Sequence, residues 1–352
     1  MTARRLHVVV PGPLDQRTGG CVYDARMVDG LLRRGWQVDV HELAGSFPDA
    51  DTIARSAMEE ALTTMAVGSP VLIDGLAGGG LPEPLGAHTG RLRMVALVHH
   101  PLADETGLSG ADQRRFEASE RASLGACRGV IVSSAFVAGR LATYGVEPGR
   151  MRVVAPGTAP ARPATGPGGD HPPMLLCVGT VTPRKGHDVL VAALERVGDL
   201  PWRCVCVGSL RRTPDHARAV RDLVVASGLQ DRIVLAGEVD SAALDELYHG
   251  ASIFLLASHY EGFGMVLTEA LARGLPIVSS TGGAIPHTVP DGAGMLVPPG
   301  DTAALADAIR VLLTDPQRRG AIAATALAHA ATLPDWGEAE AAFETAVLDL
   351  VR

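Results

Sequence analysis

Aromatic side chains are scarce in this sequence of 352 residues, at 4%, and charged residues stop at 20% while hydrophobic residues reach 47%. That balance excludes a disordered chain and describes an aliphatic, Ala- and Gly-rich globular enzyme. Positive charge is short as well: 31 basic residues against 39 acidic ones leave a net charge of -8, which argues against a nucleic-acid polymer as partner. The five cysteines, Cys21, Cys127, Cys177, Cys204 and Cys206, are odd in number and hold no CxxC pair, so neither a disulfide framework nor a zinc site is indicated. No apolar run reaches the roughly eighteen residues of a membrane span. The start, MTARRLHVVVPGP, reads as a first strand rather than a signal peptide. A reducing, cytoplasmic location fits these absences.

What the sequence does have is length and alternation. Its 352 residues suffice for two domains, each with a core of its own. Short apolar runs (LHVVV, QVDVHEL, PVLID, RMVALVHH, GVIVSS, RVVAP) alternate with helical segments such as VYDARMVDGLLRR, where Val22, Ala25, Val28, Leu31 and Leu32 follow helical spacing. This is a parallel α/β pattern. Residues 156–173, PGTAPARPATGPGGDHPP, are Pro- and Gly-rich and read as a linker between a domain over 1–155 and a domain over 174–334. The second domain repeats the alternation through MLLCVG, WRCVCVG, RIVLAG, SIFLLAS, PIVSS and GMLVPP. Asp301 stands where a helix N-cap belongs, and residues 335–352 read as a last helix able to pack back on the first domain.

Three stretches carry chemistry. Gly19 and Gly20 sit just before a helix start, where glycine lets backbone N–H groups approach an anion. Arg184 and Lys185 follow the first strand of the second domain, at the sheet edge where open α/β sheets bind ligands. A fork and a point charge side by side suit a diphosphate. Taken alone, an ordinary loop explains the glycine pair at least as well, and a solvated loop pair is the preferred reading of Arg184 and Lys185. The third stretch, EGFGMVLTEALARGLPIVSS from Glu261, places Glu261 ahead of a buried helix that begins near Met265 and Glu269 inside it. At a 1.5 Å rise per residue the two carboxylates span at most roughly 12 Å, about the length of a nucleotide sugar from hexose to ribose. Two surface glutamates would fit poorly with so apolar a helix.

These residues resemble the signature of the retaining GT-B glycosyltransferases known as glycosyltransferase family four: a glutamate, seven residues, a glutamate, here Glu261 and Glu269. The likeness extends over nearly the whole chain, through the glycine turn at Gly19 and Gly20, VHHP around His99, the Lys185–Gly186 pair, TGGAIP and GMLVPP. It implies an α/β fold of the GT-B type, two Rossmann-like domains facing a central cleft, with acceptor on the N-terminal side and donor on the C-terminal side. It also implies transfer of a hexosyl unit from a nucleoside diphosphate sugar to a small-molecule acceptor with retention at the anomeric carbon. Glu261 and the amides of Gly262, Phe263, Gly264 and Met265 would hold the donor sugar, Glu269 the ribose and Lys185 the diphosphate. Gly20 would approach the phosphates, and His99, or its neighbour His100, would touch the sugar beside the reacting carbon.

Two positions depart from the family pattern. Thr180 stands where many relatives have an arginine, which Arg184 either replaces or does not, and His287 stands where relatives often have a glutamate. A sugar-nucleotide epimerase and a non-catalytic nucleotide-sugar binder remain as alternatives. No cofactor and no metal are expected, since no DxD element or His/Asp cluster is read as a metal site, and no carboxylate is expected beside VHHP in the N-terminal domain, where an inverting base would stand. The segment DQRRFEASERASLGACRG carries Arg114, Arg115, Arg121 and Arg128, but Asp112, Glu117 and Glu120 interrupt it, so a solvated helix is favoured over membrane contact.

Overall fold

In the computed structural model, which describes residues 4–352, the apolar runs become parallel strands. The first six are β1 (Arg5–Pro11), β2 (Gln37–Leu43), β3 (Pro70–Asp74), β4 (Arg93–Val98), β5 (Gly129–Val132) and β6 (Met151–Val153). They form one sheet in the order β2-β1-β3-β4-β5-β6. The next six, β7 (Met174–Val178), β8 (Arg203–Val207), β9 (Ile233–Gly237), β10 (Ile253–Leu256), β11 (Ile277–Ser280) and β12 (Gly294–Val297), form a second sheet ordered β12-β11-β10-β7-β8-β9. The central strands are buried along almost their whole length, as in β4 and β10, because helices cover both faces of a parallel sheet.

The helices of the first sheet are α1 (Gly19–Arg33), α2 (Thr52–Thr64), α3 (Gly75–Gly78), α4 (Pro82–His88), α5 (Gly110–Ala126) and α6 (Ala135–Ala142). Those of the second are α7 (His187–Glu195), α8 (Pro214–Ala226), α9 (Ser241–Gly250), α10 (Met265–Leu271), α11 (Ile285–Thr288), α12 (Thr302–Thr314) and α13 (Pro316–Ala330), and the last helix is α14 (Trp336–Leu350). The chain divides into two compact units, Thr158–Leu333 and the remainder, so Pro334–Arg352 belongs with the N-terminal unit. A capping box between Asp335 and Glu338 starts α14, Phe343 is fully buried on Tyr23 of α1, and Arg33 pairs with Glu340 at 2.5 Å. Asp301 caps α12 through the Ala304 N–H, as the sequence indicates.

Four expectations are corrected. The buried face of α1 is Tyr23, Asp24, Met27, Val28, Gly30 and Leu31, while Val22 and Leu32 are 38% and 47% exposed. The inward stripe is rotated because it includes a carboxylate that an apolar reading passes over. Gly19 and Gly20 form the first turn of α1 rather than preceding it, and Thr18 is the N-cap. The triplet Asp49–Ala50–Asp51 has DxD spacing, but Asp51 caps α2 through Ala54 and Asp49 pairs with Arg115. Glu120 does not interrupt a basic surface of α5, because it is fully buried and accepts the Leu102 N–H.

Candidate functional site

Each sheet has a switch point, where successive connections leave in opposite directions and a crevice opens at the strands' carboxyl ends. In the N-terminal unit it lies between β1 and β3, in the C-terminal unit between β7 and β10. The residues singled out from sequence fall at these two places, and each unit supplies its own constellation.

In the C-terminal unit, the loop after β7 brings Lys185 to the chain that follows β10. Gly186 makes this approach possible: its φ is +63°, and a Cβ there would stand 2.3 Å from the Ala257 carbonyl oxygen. Lys185 Nζ then lies 2.6 Å from Glu261 Oε1, Arg184 Nη1 lies 3.6 Å from Glu261 Oε2, and Arg184 also donates to the Tyr260 carbonyl at 2.9 Å. The Glu261 backbone is fixed in turn by the TGGA segment, since its carbonyl accepts the Ala284 N–H at 2.8 Å. Burial pushes the Glu261 carboxyl up, but Lys185 and Arg184 override it and bring it to about 2. Burial also lowers Lys185, with Glu261 pulling the other way. At 2.6 Å the geometry favours the ionised pair.

Met265 opens α10 as the sequence places it, with Gly264 at φ +87° as N-cap. Glu269 sits in that helix and accepts the Tyr248 hydroxyl at 2.8 Å, while Arg273 lies over the Tyr248 ring at 4.4 Å. Burial raises the Glu269 carboxyl, opposed by Tyr248 and Arg273. Tyr248, on α9, carries no sequence signal tying it to the pair. Thr180 sits in the loop after β7, and Arg184 contacts the same glutamate as Lys185.

In the N-terminal unit, His99 follows β4, Asp74 ends β3 and α1 follows β1, so the sheet order brings them to one edge. His99 Nε2 lies 2.8 Å from Asp24 Oδ1 and 3.8 Å from Asp74 Oδ2. Two carboxylates therefore adjoin VHHP, and the expectations of no carboxylate beside it and of no His/Asp cluster are both overturned, because the sheet order rather than the local sequence brings Asp24 and Asp74 there. The ligand atoms of Asp24, Asp74 and His99 lie within 4.8 Å of one another. Asp74 Oδ1 accepts the Leu76 and Ala77 N–H groups, and His99 Nε2 is hydrogen-bonded to Asp24. Burial pulls His99 down, but Asp24 and then Asp74 raise it above the ordinary histidine value. Burial and the Asp24 charge push Asp74 up to about 7. Gly20 presses on this ring, since a Cβ there would be 3.2 Å from His99 Cδ2. His100 turns elsewhere, with Nε2 3.6 Å from Glu105.

A family model for glycosyl transferases group 1 matches residues 172–315. The D-inositol 3-phosphate glycosyltransferase of Xylanimonas cellulosilytica is 30% identical over 341 residues, covering 92% of this chain and 75% of that protein. The chain belongs to the group 1 glycosyltransferases. With other curated relatives of the same name the shared stretch spans about half of the relative, 52% and 45% in two cases. Among solved structures, this glycosyltransferase is similar to sucrose-phosphate synthase from Thermosynechococcus elongatus, with a TM-score of 0.81 and 23% identity over 98% of this chain and 97% of that one. It is also similar to Anabaena HepE in complex with UDP and glucose, with a TM-score of 0.74 and 18% identity over 96% and 97%. These likenesses make the fold GT-B. No helix among the described residues is long and apolar enough to cross a membrane.

Proposed function

We propose that the protein transfers a hexosyl unit from a nucleoside diphosphate sugar to a small polyhydroxylated acceptor, with retention at the anomeric carbon. The observation that carries this reading is the pairing of Lys185 and Arg184 with Glu261 at the β7/β10 switch point, with Glu269 eight residues further on. An ammonium has three donors, so Lys185 can keep Glu261 with one and offer the others to the diphosphate. Glu261 then accepts from the sugar hydroxyls, Glu269 from the ribose hydroxyls, and the charge arising on the leaving diphosphate falls on Lys185 and Arg184.

As the bond from the anomeric carbon to the diphosphate breaks, the acceptor oxygen bonds to that carbon from the same face and gives its proton to the leaving phosphate. Glu261 is held by two cations and is a poor nucleophile, which fits a route without a covalent enzyme intermediate. In the N-terminal unit His99 acts on the sugar being transferred. The curated relatives' name carries an inositol phosphate, which supports a small polyol as acceptor, and the HepE complex makes UDP the first nucleotide to try.

Thermal unfolding across UDP, GDP, ADP and their glucose, galactose and mannose derivatives tests the reading, because a ligand of the folded state raises the midpoint by mass action. One nucleotide family should stabilise the protein and release nucleoside diphosphate on turnover. Absence of any stabilisation by the whole panel would remove the donor assignment.

A further inference from the structure

Gly20, Tyr23 and Asp24 stand at i, i+3 and i+4 on α1 and so share one face of the helix. All three meet His99. Gly20 leaves room for the ring edge, Tyr23 contacts the ring edge-on with centroids 5.1 Å apart, and Asp24 takes Nε2 at 2.8 Å. The face is itself rigid: the Tyr23 hydroxyl donates to the Val154 carbonyl at 3.0 Å, and Tyr23 and Asp24 are 1% and 4% exposed. The buried carboxylate is therefore placed, and its nearest polar contact is one nitrogen of one histidine.

We propose that Asp24 is a positioning residue for glycosyl transfer, fixing the His99 ring through Nε2 and leaving Nδ1–H as the ring's only donor to the sugar being transferred. This rests on the glycosyltransferase reading above. The charged and titratable groups around the ring are Asp24 from α1 and Asp74 from β3, with the Tyr23 ring at its edge, and no cation among the described residues contacts it. The Asp24 carboxylate at 2.8 Å favours the doubly protonated imidazole, and in that form the ring donates at Nδ1 and cannot take a proton there. Asp24 thus makes His99 a hydrogen-bond donor at Nδ1 while the ring is doubly protonated, whereas in a neutral ring the same contact would leave Nδ1 an acceptor. The sequence gives no hint of this, because the two residues are 75 positions apart.

The test is a nitrogen-detected NMR titration of the histidine side chains in the whole protein. His99 is identified by its contacts to the Tyr23 ring protons and by the resonance lost in His99→Gln. In the unsubstituted protein both ring nitrogens of His99 should be protonated at pH 6.5, and a neutral ring at that pH would overturn the proposal without any variant. Asp24→Asn should weaken proton binding at His99 by about tenfold or more, a shift of about one pKa unit. It should also lower kcat by more than it raises KM for the donor, and Asp24→Glu should recover part of both effects. An unchanged His99 titration in folded Asp24→Asn would sink the idea. Failure of every nucleotide sugar to bind or turn over in the unsubstituted protein would instead count against the glycosyltransferase reading, and the NMR result would stand apart from it.

Discussion

Lys185 Nζ and Glu261 Oε1 lie 2.6 Å apart although 76 residues separate them, and Glu261 is only 5% exposed. Breaking such a pair by removing one partner costs up to about 3–5 kcal/mol, and here it would leave the buried Glu261 charge with only the more distant Arg184. Lys185→Ala should therefore destabilise the protein by up to that much at pH 7 and reduce turnover more than Arg184→Ala does, since the arginine is the more distant contact. The acid limb gives a further check. The Glu261 carboxyl is near 2 in the folded state against an ordinary 4.5, so its stability contribution is present above pH 4.5 and lost as pH falls through 2. Urea unfolding at pH 7 and pH 3 should show that loss in the parent and a smaller one in Lys185→Ala. Near-normal stability and rate in Lys185→Ala would refute the pairing's role.

Glu269 offers a cleaner separation of binding from folding. Glu269→Ala should weaken binding of the free nucleoside diphosphate as well as of the donor, by about 1.5–3 kcal/mol if a charged hydrogen bond to ribose is lost. Tyr248→Phe removes only the hydroxyl at 2.8 Å and should cost roughly 1 kcal/mol of stability while leaving Glu269 in place. Calorimetry with the nucleotide found by the thermal panel decides the matter. Equal affinity in the parent and in Glu269→Ala would end the ribose assignment.

Glu120 titrates far from its usual range. Burial pushes its carboxyl up to about 8, against the Leu102 N–H that it accepts, and its Oε1 has no hydrogen-bond partner among the described residues. A raised folded value means that the stability contribution is complete below the unfolded value of 4.5 and is lost as pH rises through 8. Asp74, which lines the same small cavity, acts in the same sense but over a window ending near 7. Glu120→Gln keeps an acceptor for Leu102 and does not titrate. It should flatten the part of the stability loss that Glu120 contributes between about pH 4.5 and 8, measured by urea unfolding, most visibly between pH 7 and 8 where the window of Asp74 has closed. A parent and variant with the same decline above pH 7 would show that Glu120 is ionised throughout.

The strands were legible because buried parallel strands are short apolar runs, and each of the twelve runs read from sequence coincides with one. Helix α10 and the Asp301 cap were legible for similar local reasons. The face of α1 was not, because periodicity assigns the inside to apolar residues and here Asp24 is inside. Asp74 was hidden in the same way: as the last residue of PVLID it looks like a strand end, and only the order β1-β3-β4 sets it beside His99. Tyr248 reaches Glu269 from a different helix. Such contacts depend on topology, which neither spacing nor composition carries. A charged residue closing a buried parallel strand was the one available signal, since ligands gather at that edge.

The anomeric outcome is the prediction on which these residues bear most directly. An α-linked donor should give an α-linked product, with no lasting covalent intermediate. An inverting route would need a base on the face opposite the leaving group, and the N-terminal unit does contain two carboxylates, Asp24 and Asp74, around His99. Asp24 is bound to His99 at 2.8 Å, and one oxygen of Asp74 is held by two backbone N–H groups. Asp24 is thus engaged by His99, and the doubly protonated imidazole proposed above would not serve as a base. Retention, with the leaving phosphate as the proton acceptor, is the outcome that the proposed function predicts. The coupling constant of the new anomeric proton in the purified product decides it. A β-linked product from an α-linked donor would overturn retention, and Asp74, with a carboxyl near 7, would then be the first candidate for the base.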